Sequence, residues 1–133
     1  MKKYYFLFGI LIIISMLVSC GVPGGNTPSL TVKIINFPAG NGHHAGALLN
    51  GAVAYSSASL ISGGKATISG FQDLAHNGEW PPYNGELFSV WVGIDMDDSG
   101  IMTDPGDYQG VKNVTINGAT TLTFDGATDF TIE

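Results

Sequence analysis

Five of the chain's eleven acidic residues stand in one short stretch, "IDMDDSGIMTDPGDYQG" from Ile94 to Gly110. They are Asp95, Asp97, Asp98, Asp104 and Asp107. Counted from Asp95, the stretch puts Asp at positions 1 and 3, Ser99 at 5, Gly100 at 6 and Ile101 at 7. Alternate residues of a tight loop turn their oxygens inward, the glycine permits the sharp turn, and Ile101 offers a backbone carbonyl. A set of carboxylate, hydroxyl and carbonyl oxygens suits a hard cation, Ca²⁺ above all. No thiolate or imidazole stands nearby in the chain to favour zinc. The expected ligands are Asp95, Asp97, Ser99, Ile101 and Asp107, which leaves Asp98 and Asp104 facing solvent.

The loop is not half of an EF-hand. "FSVWVGI" before Asp95 alternates as a strand, and position 12, where an EF-hand places its bidentate Glu, is Gly106. Asp107 follows one place later. The bland alternative is a solvated acidic hairpin, since Asp, Ser and Gly are ordinary turn formers. A turn alone does not call for this many like charges, each pair at about 4–8 Å costing about 0.5–1 kcal/mol in water before screening. An ion there would act as a staple between strands, with a Kd of about 10⁻⁴–10⁻³ M as in extracellular modules.

Other chemistry-bearing residues are sparse. His43-His44 would point to opposite faces of a strand and chelate poorly. His76 has no third ligand by spacing, so a solvated loop is the better reading of all three. Trp80-Pro81-Pro82-Tyr83 holds two aromatics on a stiff loop. Exposed, Trp80 and Tyr83 would make a carbohydrate-stacking platform; turned inward, they would plug one end of the fold, the commoner use of a large apolar surface. Trp91 and Tyr108 read as packing. No nucleophile elbow, catalytic cysteine or phosphate loop is present. Glu79 and Glu86 carry no glycosidase context, so the chain is expected not to be an enzyme.

The elements that must position these residues are strands. "LTVKIIN", "GALLNGAVAYSS", "GGKATISGF", "ELFSVWVGID", "KNVTING", "TTLTFDG" and "ATDFTIE" alternate with period two and are separated by Gly, Pro, Asn and Asp. In the strongest, Phe88, Val90, Val92 and Ile94 share one face. Val114 pairs with Ile116, Leu122 with Phe124, and Phe130 with Ile132. Asn117-Gly118 is a strong hairpin signal. This predicts an all-β fold, a single β-sandwich of about seven short strands over residues 30–133, after an N-terminal signal helix.

The N-terminus carries that signal. Lys2 and Lys3 precede the uncharged apolar run Tyr4 to Val18, which is short for a membrane span of about 20 residues. It ends in "LVSC", Leu17 to Cys20. Leu-x-Ser-Cys after such a run resembles the lipobox of bacterial lipoproteins, which implies a signal peptide at 1–19 and lipidation of Cys20. Cys20 is the only cysteine, so no disulfide forms within the chain. Several acyl chains on one terminus anchor stably to a membrane. Gly21 follows the cysteine in place of the Asp that retains lipoproteins at an inner membrane, which favours the outer membrane or cell surface.

Residues 20–29 end in a Gly/Pro/Asn/Thr linker whose nine coil residues reach about 15–18 Å, so the folded body sits close to the membrane. From Cys20 onward the chain has three lysines, no arginine and all eleven acids. That balance excludes nucleic acid as a partner and a polybasic grip on anionic lipid. "LTVKIINFPAGNG", "ISGGKATISGF", "ELFSVWVGIDMDDSG" and "VTINGATTLTF" together resemble small transthyretin-like, or prealbumin-like, β-sandwich modules of bacterial surface lipoproteins. The resemblance spans Leu30 to Phe124. It implies a non-catalytic envelope module with an unknown protein or glycan ligand.

Overall fold

Period-two alternation becomes strands wherever one face finds a core. The computed structural model describes residues 28–49, 54–73, 78–79 and 84–133. Their strands are β1 (Ser29–Ile35), β2 (His44–Leu49), β3 (Ala54–Tyr55), β4 (Ser59–Leu60), β5 (Ala66–Ile68), β6 (Gln72–Asp73), β7 (Gly78–Glu79), β8 (Leu87–Asp95), β9 (Tyr108–Thr115), β10 (Ala119–Asp125) and β11 (Thr131–Ile132). A small sheet runs β10-β1-β5. A large one runs β11-β9-β8-β2-β3-β6-β7, with β4 also paired to β2. The expected all-β sandwich is what forms. Its strands exceed seven because several are two-residue pieces along the margin of the large sheet.

The core lies between the sheets. Val32 and Ile34 of β1, Ile68 of β5 and Phe124 of β10 face Ala45, Ala47 and Leu49 of β2 and Phe88, Val90, Val92 and Ile94 of β8, all buried. Phe37 closes one end, with its ring 5.0 Å from that of Tyr108 and 5.3 Å from that of Phe130. Side chains of the large sheet cover both outer edges of the small one. Lys112 Nζ donates to the Thr123 carbonyl on β10 (2.9 Å), and Ser59 Oγ donates to the Thr67 carbonyl on β5 (3.0 Å). These contacts blunt edges that would otherwise template foreign strands.

Two expectations fail here. Asn117-Gly118 does not turn a hairpin: β9 pairs with β8 and β11, whereas β10 runs parallel to β1 in the opposite sheet. The dipeptide is a crossover between sheets. Groups outside the two strands take the hydrogen bonds a hairpin would use. The Gly118 N–H donates to Asn84 Oδ1 (2.7 Å), its carbonyl accepts from Ser29 N–H (3.1 Å), and buried Ile116 bonds to Gly85 and Glu86. Phe130 and Ile132 also do not share an environment. Phe130 precedes β11 and packs on the core, whereas Ile132 lies on an edge strand and is 61% exposed. The signal segment, Cys20, His76, Trp80 and Tyr83 lie outside the described residues.

Candidate metal centre

The register of the large sheet places the acidic residues before any loop geometry is considered. Odd-numbered residues of β8 (Leu87, Ser89, Trp91, Gly93 and Asp95) face away from the core, because their even-numbered neighbours fill it. Gly93 pairs with Gln109 and Ile94 with Tyr108. One further step sets Asp95 opposite Asp107, both on the outer face. The connecting loop folds back over that face. Met102 sits on the glycine pair Gly46–Gly93, where an added Cβ would meet Met102 atoms at 2.8 Å over Gly46 and 2.7 Å over Gly93. The loop thereby buries Asp95 and Asp107, which are 3% and 1% exposed.

Two carboxylates at opposed positions of a strand pair repel one another. Backbone N–H groups take up part of that charge. Asp95 accepts from Ser99 N–H through Oδ1 (3.1 Å) and from Gly100 N–H through Oδ2 (2.8 Å). Asp107 accepts from Met96 N–H through Oδ1 (2.8 Å) and from Asp104 N–H through Oδ2 (3.0 Å). The loop reaches these contacts through three residues of positive φ, Asp98 (58°), Gly100 (84°) and Gly106 (105°). Exposed Asp97 completes the group and accepts from Ser99 N–H (3.0 Å). Hydrogen bonds from Ser99 hold the Asp97 carboxyl below the usual carboxylate range.

One carboxylate oxygen from each of Asp95, Asp97 and Asp107 lies within 4.8 Å of the others. Each ionised oxygen keeps a lone pair beyond its N–H bond. The three aspartates can therefore hold a metal ion, and an all-oxygen set suits a hard cation.

The other expected ligands are placed differently. The single Ser99 hydroxyl proton points to Asp104 Oδ2 (3.0 Å), with the Ile101 carbonyl the longer alternative acceptor (3.3 Å). Ser99 N–H thus reaches Asp95 and Asp97, while its hydroxyl reaches Asp104. Asp104, read from the sequence as a solvent-facing charge, is half-buried and fastens the loop at both its side chain and its backbone. Asp98 does face solvent, with its carboxylate 3.5 Å from His43 Nδ1. His44 points outward and, with Gly42, Ala58, Asp95, Asp98, Gly100 and Met102, lines a cleft of about 470 Å³ beside the loop. Sequence reasoning missed Asp104 because its role depends on the fold-back of the loop. Alternation along β8 puts Asp95 on the outer face, but only the β8–β9 register sets Asp107 opposite it.

Comparisons of the chain with protein families, with curated proteins and with solved structures find no match. Among the described residues, no helix is long and apolar enough to cross a membrane.

Proposed function

We propose that this chain is a lipid-anchored cell-envelope β-sandwich with a non-catalytic binding or structural role, stapled by one Ca²⁺ in the Asp95–Asp107 loop. The observation that carries the metal reading is the convergence of Asp95, Asp97 and Asp107, two of them buried face to face at the base of a strand pair. A divalent cation there replaces repulsion with attraction and ties the end of β8 to the start of β9. The envelope reading rests on the N-terminal basic, apolar and Leu-Val-Ser-Cys order. Calorimetry should find one Ca²⁺ site, lost in Asp95→Asn. Heat-free titration with no change in melting temperature on adding Ca²⁺ would sink the metal reading. Cys20→Ser should abolish lipid labelling and membrane association; unchanged labelling would refute the anchor.

A further inference from the structure

The outer face of the large sheet carries an aromatic platform next to the acidic loop. Tyr55 pairs with Leu48, Leu48 with Trp91, and Trp91 with Val111. These four side chains therefore form one row across β3, β2, β8 and β9, on the face turned away from the core. Tyr55 and Val111 are 41% and 61% exposed. Leu48 and Trp91 are half-buried and form the floor between them.

Trp91 is held in a fixed pose. Its indole extends over Gly93, where an added Cβ would lie 2.3 Å from the ring. Its Nε1–H donates to Gln109 Oε1 at 2.8 Å. A ring already locked in place loses little entropy on contact with a ligand. Tyr55 stands two strands away, about 10 Å at the usual inter-strand spacing. That gap separates two stacking positions along an extended chain of rings.

The rim decides what fits. Gln72 flanks Tyr55, Gln109 flanks Trp91, and Asn113 occupies the next outward position of β9. Below the acidic loop, the outward side chains of β3, β2, β8 and β9 include no acid and no lysine. Nucleic acid requires cations that this face lacks, and a lipid surface favours basic residues around an apolar face. A second copy would bring another strongly acidic molecule against the first. A pyranose ring has an apolar C–H face and a rim of uncharged hydroxyls, which matches aromatics bordered by carboxamides.

We propose that this sheet face binds a neutral polysaccharide, with Trp91 and Tyr55 as its stacking positions. The inference rests on the sheet register and does not depend on the metal. The full-length chain is run in native gels containing a β-glucan, a xylan, a mannan or acidic polygalacturonate, with calcium present and again with chelator. At least one neutral polymer should retard it under either condition, and polygalacturonate should not. Trp91→Ala should weaken retardation about tenfold or more, the scale of one lost aromatic contact. Tyr55→Ala, at an exposed position that leaves the core intact, should weaken it several-fold. In Trp80→Phe, Trp91 is the only tryptophan, and its fluorescence should shift on titration with the retarding polymer. No retardation by any neutral polymer would overturn the proposal. So would retardation unchanged in both variants, or lost in Trp80→Ala but not in Trp91→Ala.

Discussion

Among the described residues, two carboxylate sites join strands of the fold, and they are compensated differently. At one, Asp129 accepts a hydrogen bond from Lys112 Nζ at 2.6 Å and another from Asp125 N–H at 2.6 Å. The same ammonium lies 5.3 Å from the centre of the Phe124 ring. That link, from β9 of the large sheet to the loop after β10 of the small one, is electrically complete within the chain. At the other, Asp95 and Asp107 oppose each other, and their only compensation among the described residues is backbone N–H dipoles. Both places bring two strands together. Only the second leaves net negative charge in a low-dielectric setting, where an external cation gains most.

Removing Asp107 should show the largest effect. Asp107→Ala takes the acceptor from two N–H groups, those of Met96 and Asp104, each costing about 1–3 kcal/mol when left unpaired under cover. A net loss of about 3 kcal/mol should lower the melting temperature by 10 °C or more in chelator-treated protein. A shift of only a degree or two would mean that the loop is not fastened through this residue.

The second prediction tests the missing cation directly. At Ca²⁺ concentrations about 10–100 times a Kd near 10⁻⁴–10⁻³ M, mass action should stabilise the wild type by about 1.4–2.7 kcal/mol. Asp95→Asn removes one charge and one of the two oxygens that accept from Ser99 and Gly100 N–H, so it should abolish this gain and also cost about 1–3 kcal/mol in chelated protein. Equal calcium gains in both proteins would erase the contrast between the two carboxylate sites.

A smaller effect belongs to the complete pair. Lys112→Met should cost about 1 kcal/mol, since both partners are part-exposed and solvent screens them. The Lys112 ammonium holds the Asp129 carboxyl below its ordinary value of 3.8. The stabilisation from a lowered carboxyl is fully present above the unfolded pKa and is lost as pH falls through the folded one. Wild-type stability should therefore decline as pH falls below about 4, and Lys112→Met should flatten that decline. Acid melts with the same slope in both proteins would remove this pair from the account. Asp98→Asn should do least, changing calcium affinity by about twofold or less by long-range charge alone. A tenfold loss would place Asp98 among the ligands.

Much of this was legible without coordinates. The alternation in "ELFSVWVGID" correctly divided β8 into a core face and an outer face, because a half-buried strand has no other stable pattern. The acidic stretch announced itself by composition. Asn117-Gly118 misled, because a turn dipeptide reports local backbone preference and says nothing about which sheet the next strand joins. From the sequence, Trp91 reads as packing. In the fold it does pack, but on the outer side of the sheet, over a glycine that leaves room for it.

The sequence by itself determined the all-β class, the two-faced strands and the oxygen-rich character of the loop, since these follow from residue type and period. Tertiary structure decided the rest. It set β10 beside β1, folded the acidic loop back over Gly46 and Gly93, brought Asp97 to Asp95 and Asp107, and turned Ser99 Oγ toward Asp104. Each of those outcomes depends on contacts between residues distant along the chain, or on a loop closing over a surface that another strand supplies.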